Sequence, residues 1–548
     1  MLGAVASADW RRRLRPFGGG IVIALGFFVI SVLTLRDYGQ TWDEDESYNA
    51  ALLNVHIVKA AIAGQPTPSW KLHELPGYYF VVDSLSAGFI WVLSRRLHLM
   101  EDVLSFHLFH VVLATLSIFL LYALAHNVSG RRRIAALSAL GLALLPQFVA
   151  HSHNNPKDLP GLFVFVLAIF TFTRLQPTSP FRHLLHSGLA LGLALTTHVS
   201  AVFLFPVLGI WHVVSGRRLP VRSYVTVMAL AAVTAFLCWP WLWSAPAQRL
   251  NWALRYLHGR FGYEEFPVLY LGTVYQGWQL PWHYSLVNVL ATTPVWYLVW
   301  MACSIFRLGL RVEGPSGSPW AAAVLGWLWC TILIAAETFA PMRYDVARHL
   351  LMILPGLCLT AAVGLDAVLE WIARIPALER SGRLARVVTI ACAAAAFASV
   401  AAEVVQIHPY QNAYLNEVTN AWIAGNAEEV FEVEYWGQSY KEGAEWLNGH
   451  AERDAGIYVG HGPGLADHYL TTSSRMLTEE AWPEFENQSR HAYLMLMTRK
   501  ALYGPAITRV MRGYEPIFEV RRQKGTLLKV YSNRRPAADT RVGFTPHR

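Results

Sequence analysis

The strongest constraint on this chain is a series of apolar runs, each near the length of a bilayer-crossing helix. The first, Gly18 to Leu35, follows a basic patch at Arg11–Arg15. Others lie at about 103–126, 134–150, 159–174, 184–199, 201–215, 221–241, 286–306, 320–340, 349–372 and 387–405. About 20 apolar residues cross a hydrocarbon core, where a helix satisfies its own backbone. The implied fold class is a polytopic α-helical membrane protein with about 11 transmembrane helices. Only 15% of the 548 residues are charged, against about a quarter in a typical soluble domain. No small-residue cleavage site follows the first run, so it reads as a retained span. A further apolar segment, 78–94, reads as interfacial or as dipping in without crossing.

Charge placement tests this count. The formal charge is +8, which in a soluble chain would raise nucleic acid as a partner. In a membrane chain, cytoplasmic loops collect Lys and Arg. With Arg11–Arg15 inside, Arg131–Arg133, Arg174 and Arg182, Arg217, Arg218 and Arg222, Arg307 and Arg311, and Arg374–Arg386 also fall inside. Every second loop is then basic. A crossing at 78–94 would break that alternation.

The same assignment puts 36–102, His151–Asp158, 242–285 and Glu337–His349 outside. These segments are richer in Trp, Tyr, His and acid, and they converge on one face. Past about 406 the character changes. "AGIYVG" (455–460), "HAYLMLM" (491–497) and "FEVRRQKGTLLKVYS" (518–532) read as strands, the last as a hairpin turning at Lys524-Gly525. "SYKEGAEWLN" (439–448) reads as a helix. The expected division is a transmembrane domain over 1–405 with outer loops 36–102 and 242–285, a small soluble extracytoplasmic α/β domain over 406–533, and a disordered tail over 534–548. The N-terminus would be cytoplasmic. Five cysteines lie in or beside apolar runs without a C-x-x-C pair, so they read as small apolar fillers.

Four clusters stand out on the outer side. "TWDEDESYNA" (41–50) places Asp43, Glu44, Asp45 and Glu46 in a row. Helical spacing follows at Tyr48, Leu52, Val55, Val58 and Ile62. Asp43 with Glu46 fits a capping box, but capping accounts for one or two carboxylates, not four. "AHSHNNPKDLPG" (150–161) contains turn chemistry at Asn154-Asn155-Pro156 and a capping candidate in Asp158. His151, His153, Lys157 and Asp158 together exceed what a turn requires. "PMRYDVARHLL" (341–351) sets Arg343, Arg348 and His349 on the outer face, against the positive-inside trend, where an anionic headgroup or a substrate phosphate would answer them. The Trp- and Tyr-rich loop containing "YLHGRFGYEEF" (256–266) and "QLPWHYSLVNVLATTP" (279–294) fits an interfacial belt and equally a sugar or polyprenyl groove. There is no P-loop, Rossmann fingerprint or H-E-x-x-H. Ionisable groups are sparse within the spans, where a proton-coupled transporter would carry them.

These motifs resemble the GT-C superfamily of membrane glycosyltransferases, and within it the family 39 group of protein O-mannosyltransferases and lipid A aminoarabinose transferase. "TWDEDESYNAALLN" looks like the Asp-Glu motif of their first outer loop, and "HSHNNPKDLP" is similar to a second-loop motif of bacterial members. "LPWHYSLVNVLATTP", "ARHLLMILPGL" and the 408–447 segment are weaker matches. The resemblance covers roughly 20–450. It implies an integral plasma-membrane glycosyltransferase that moves a sugar from a polyprenyl-phosphate donor to a lipid, glycan or protein acceptor on the extracytoplasmic face, with inversion.

By that resemblance Asp43 is the general base, Glu44 assists it and Asp158 is the second acid facing the site. Lys157 and Arg348 neutralise the departing lipid phosphate, with Arg343 and Arg260 as helpers. Asp45-Glu46 is a second possible Asp-Glu register; Thr41-Trp42 favours Asp43-Glu44, leaving Asp45 and Glu46 to the helix. Some GT-C enzymes use a divalent metal and others do not. Four acids would tolerate one, but no ligand spacing demands it. A transporter or flippase of lipid-linked sugars is the alternative.

Overall fold

The computed structural model describes residues 15–65, 79–259, 266–309, 317–340 and 342–534. Arg11, Arg12, Arg13, Arg260, Arg311 and the tail from 535 lie outside the described residues. Among the described residues, four helices are long and apolar enough to cross a membrane: Asp102–Ser129, Pro319–Thr338, Ala347–Ala373 and Gly382–Gln406. Two bent pairs raise that number to six, and shorter apolar helices occupy Gly18–Leu33, Asp158–Thr173, Val199–Val214 and Val221–Leu237. Phe181–Leu195 is a further helix. Each of the eleven expected spans therefore contains helix, and the chain is a multi-pass membrane protein. The 78–94 segment forms the helix Phe80–Ile90, continued by a π-helical stretch Trp91–Arg96.

Two of the expected spans are broken, for the same reason. Arg132–Leu144 and Pro146–Asn154 meet at 63°, and Tyr284–Thr292 and Val295–Leu308 at 111°. A residue preceding proline is pushed out of the helical region. Leu145 before Pro146 takes ψ 119°, and Thr293 before Pro294 takes ψ 128°. The apolar pattern runs through both points, so hydropathy reads each pair as one span.

The chain divides into two compact units. The first comprises residues 1–38, 43–266 and 276–422. At one end of its bundle Asp366, fully buried, takes Arg131 Nη1 at 2.8 Å, Arg133 Nε at 2.5 Å and Arg307 Nη2 at 3.5 Å. Glu370 is bonded to Arg131 and Arg307. Gly130 and Gly317 approach so closely beside this cluster that a Cβ on Gly130 would lie 2.9 Å from the Gly317 carbonyl oxygen. Much of the basic charge at this end is thus tied to carboxylates of the chain itself. Asp366→Asn leaves the arginines short of a buried anion and is expected to cost about 1–3 kcal/mol, read as a lower apparent Tm in detergent. An unchanged Tm would mean that water satisfies the arginines equally well.

The second unit comprises 39–42, 267–275 and 423–548. Strands β1 (Pro267–Tyr270) and β2 (Thr273–Gln276) form a hairpin, and Tyr270 bridges to Phe431. The main sheet holds β3 (Gly456–Val459), β4 (Arg475–Met476), β5 (Ala492–Met497), β6 (Pro516–Arg522) and β7 (Gly525–Ser532) in the order β4-β3-β5-β7-β6. β3 is parallel to β4 and β5, while β7 runs antiparallel to β5 and β6. β3, β5 and β7 each read as apolar runs because they lie inside the sheet. Tyr458, Leu494, Leu496, Phe485, Ile507, Val510 and Tyr531 form the core around it. The turn between β6 and β7 falls at Gln523-Lys524, one residue earlier than the glycine suggests, with Gln523 at φ 49°. The predicted 439–448 helix is present as Tyr440–His450.

Candidate functional site

In the first unit, three segments bring their polar residues to one place. The helix Trp42–Ile62 supplies the acids, and it starts one residue before Asp43. Asp43 therefore lies inside the first turn, where a carboxylate suits the helix dipole, and not at the cap. The Pro146 bend turns the chain inward, so every residue of Pro146–Asn154 is buried. Asn155 then knits the following turn. Its Oδ1 accepts from the backbone N–H of Lys157 (3.2 Å) and of Asp158 (2.8 Å). Its Nδ2 reaches Asp158 Oδ2 at 3.0 Å and His151 Nδ1 at 3.1 Å. The third segment, around Ala347–Ala373, begins after Asp345, held at φ 41°. That left-handed backbone is uncommon for a residue with a side chain and gathers at functional positions.

Lys157 and Arg348 are the hubs. Lys157 Nζ lies 2.8 Å from Glu46 Oε2 and 3.3 Å from Asp43 Oδ1. Arg348 Nη1 is 3.5 Å from both Asp43 Oδ2 and Asp158 Oδ2, and its Nε is 3.4 Å from Asp345 Oδ2. The guanidinium also lies over the Tyr344 ring, 5.5 Å from its centroid. His198 Nε2 approaches Asp158 Oδ1 at 3.1 Å. Asp43 Oδ2 is buried and accepts no hydrogen bond. Burial pushes the Asp43 carboxyl up, but Lys157 and Arg348 more than offset that and hold it below the usual carboxylate range. The carboxylate is thus ionised, with one oxygen open to a proton donor. Among the described residues, no three His, Cys, Asp or Glu side chains are grouped to hold a metal. The acids here are interleaved with two cations, which is a poor metal donor set.

Of the residues singled out in the sequence, Asp43, Lys157, Asp158 and Arg348 come together. Glu44 lies 2.9 Å from His107 Nε2, and both side chains are buried. Arg343 donates to the backbone carbonyls of Pro281 (2.8 Å) and Leu280, bracing the 277–281 loop. Arg260 lies outside the described residues. Glu46, read as a helix residue, reaches Lys157 instead. Glu46, Asp345, Asn155, His198 and His107 were not picked out as site residues. Glu46 and Asp345 sit within quoted motifs and Asn155 within a turn, whereas His107 and His198 stand alone in apolar surroundings with no local signal.

Residues 86–243, less than a third of the chain, match the family model described as dolichyl-phosphate-mannose-protein mannosyltransferase. That segment includes the Pro146 bend, Lys157, Asp158 and His198. Among solved structures, ArnT from Cupriavidus metallidurans in the apo state is similar at 12% identity and TM-score 0.49, covering 96% of this chain and 98% of that one. The same protein bound to undecaprenyl phosphate gives 13%, 0.48, 94% and 97%. The apo Archaeoglobus fulgidus oligosaccharyltransferase gives 10%, 0.47, 93% and 74%. No curated protein matches the chain by sequence.

Proposed function

We propose that the protein is an integral membrane glycosyltransferase that moves a sugar from a polyprenyl-phosphate donor to an acceptor hydroxyl on the extracytoplasmic face. The observation that carries this reading is the buried Asp43 carboxylate, with an oxygen that accepts no hydrogen bond, beside Lys157 and Arg348. The match of 86–243 to a family named for mannosyl transfer from dolichyl phosphate supports it.

The chemistry follows from the groups present. Asp43 Oδ2 takes the acceptor hydroxyl proton as that oxygen attacks the anomeric carbon. The bond from that carbon to the phosphate oxygen breaks, and its electron pair leaves on the polyprenyl phosphate. Attack from the face opposite the leaving group inverts the anomeric centre. Lys157 and Arg348 stabilise the developing phosphate charge. Phosphate is a good leaving group, so no strong general acid is needed. Glu46 is half exposed, so it can turn to water and give up Lys157 at little cost. As the phosphate draws the two cations, Asp43 loses the charges that depress its pKa and becomes a better base. Asp158, gripped by Asn155 and His198, holds Arg348 in place. Glu44 with His107 fixes the first turn of the Asp43 helix. Arg343 braces a loop, and Arg260 stays a candidate phosphate ligand. In this reading the C-terminal α/β unit is extracytoplasmic and the N-terminus cytoplasmic.

A flippase of lipid-linked sugars would need a polar path through the spans. The clusters described above lie at the two ends of the helix Ala347–Ala373, with 18 positions between Arg348 and Asp366, about 27 Å along its axis. Mass spectrometry of surface glycans, glycolipids and glycoproteins, with and without the protein, tests the reading. One sugar is expected to vanish from one acceptor class and to return with the intact chain but not with Asp43→Asn. An unchanged surface sinks the transferase reading.

A further inference from the structure

The helix Asp158–Thr173 opens on Asp158, and Gly161 lies three positions on, along the same face. His198 packs against that face. A Cβ on Gly161 would lie 2.8 Å from the His198 Cβ and 3.1 Å from its ring, so glycine is what lets the imidazole come this close to the helix. His198 itself is extended, at φ −153° and ψ 133°, and caps the short turn Val199–Phe203. Its Nδ1 accepts the Ser200 N–H at 3.2 Å. A ring nitrogen that accepts a backbone N–H carries no proton, so the imidazole proton is on Nε2. Nε2–H therefore donates to Asp158 Oδ1, at 3.1 Å. Both side chains are buried.

The other oxygen of Asp158 is engaged from a different side. Oδ2 accepts from Asn155 Nδ2 at 3.0 Å and faces Arg348 Nη1 at 3.5 Å. With Oδ1 held by the imidazole, the carboxylate cannot turn about its Cβ–Cγ bond, and Oδ2 stays directed at Arg348. All of these residues belong to the first unit. We propose that His198 is a positioning residue for Arg348: the Ser200 N–H selects its tautomer, its Nε2–H orients Asp158, and Asp158 sets where the guanidinium lies. A neutral donor does this without adding a cation that would compete with Arg348 for the carboxylate. The inference rests on the transferase reading, in which Arg348 receives the departing phosphate. Its physical warrant is that a displacement of about 1 Å in a reacting arrangement can cost about 100-fold in rate.

The test separates the two ring nitrogens. In His198→Asn the side-chain oxygen still accepts the Ser200 N–H, since Asn is a favoured cap, but the amide ends at the position of Nδ1 and stops short of Asp158. In His198→Gln the amide nitrogen reaches the position of Nε2 and donates to Asp158, while the cap is lost. Full-length chains in detergent are mixed with solubilised membranes of cells lacking the protein, which supply donor and acceptor. Product is read by mass spectrometry per amount of folded protein. His198→Asn is expected to lower Vmax by about 10- to 100-fold, and His198→Gln to fall between it and wild type. A residue that merely caps the turn gives the reverse order, with Asn above Gln, and that order overturns the proposal. Gly161→Ala presses on the ring and leaves His198 in place, so it should also lower Vmax, and adding it to His198→Asn should change little further. Should a His198 form fail to fold, Gly161→Ala decides: an unchanged Vmax overturns the proposal. A wild-type chain that yields no product sinks the transferase and this role with it, whereas an active wild type whose variants match it, or take the reverse order, sinks only the role of His198.

Discussion

If the proposed transfer holds, Asp43→Asn is expected to lower it by about 10²- to 10⁴-fold, the usual contribution of a positioned general base, while a polyprenyl phosphate still binds. Asn keeps the shape and one acceptor oxygen for Lys157, and it loses the group that takes the proton. The fold should survive, because Lys157 retains Glu46 and Arg348 retains Asp158 and Asp345. The wild-type pH profile carries a second signature. Lys157 and Arg348 hold the Asp43 pKa below the ordinary carboxylate value, about 3.9 in model peptides. The carboxylate therefore stays ionised as pH falls from neutral, and kcat/KM, which reports the free enzyme, should show no acid limb from Asp43 down to about pH 5. In the donor complex the phosphate competes for both cations, so the acid limb of kcat should lie higher than that of kcat/KM. Initial rates from pH 4 to 8 at low and saturating donor check both. Wild-type rates in Asp43→Asn would remove Asp43 as the base.

The spans were legible because apolar length is a one-dimensional signal, and the arginine alternation at Arg131–Arg133, Arg217–Arg222 and Arg307 supplies an independent check on their number. Hydropathy hides the breaks, although Pro146 and Pro294 mark them, because an apolar run on both sides of a proline looks continuous. The first bend matters for the site. Without the bend, "HSHNNPKD" reads as a polar turn at the membrane surface; with it, the same residues are buried and Lys157 and Asp158 face inward. The strands β3, β5 and β7 were visible as short apolar runs. β4 has two residues, and β1 and β2 pair locally, so neither leaves a pattern long enough to recognise.

Side-chain partnership was the least legible level. The row Asp43–Glu46 is a helical turn, and successive residues on a helix point about 100° apart. Asp43 and Glu46, three apart, share a face and meet Lys157, while Glu44 points to His107. Helical geometry alone would have paired 43 with 46. The reading by resemblance paired 43 with 44, because a motif records adjacency in sequence and not direction in space. His107 and His198 could not be found from sequence, since each owes its role to a partner 63 or 40 positions away.

Arg348 and Lys157 are expected to fail in different ways when replaced, although both are cations beside Asp43. Arg348 is buried, and Asp43, Asp158 and Asp345 all lie within 3.5 Å of its guanidinium. Arg348→Gln removes the cation that three buried carboxylates share, and loss of a buried ionic partner costs about 3–5 kcal/mol. The expected result is a large fall in apparent Tm together with loss of transfer. Arg348→Lys keeps the charge without the planar fork that reaches several acids at once, so its Tm should lie between. Lys157 has Glu46 as its nearest carboxylate, and that side chain is 46% exposed; water can replace an ammonium there, and pairs with so exposed a member contribute about 0–1 kcal/mol. Lys157→Met should therefore lower Tm less than Arg348→Gln does, its remaining cost being the lost pair with Asp43, and weaken polyprenyl phosphate binding by about tenfold, which corresponds to one charge-assisted contact of about 1.4 kcal/mol. Thermal scanning and lipid-phosphate titration on the same detergent preparations separate the two. A stable Arg348→Gln with an unstable Lys157→Met would reverse the assignment, making Lys157 the structural cation and Arg348 the exchangeable one.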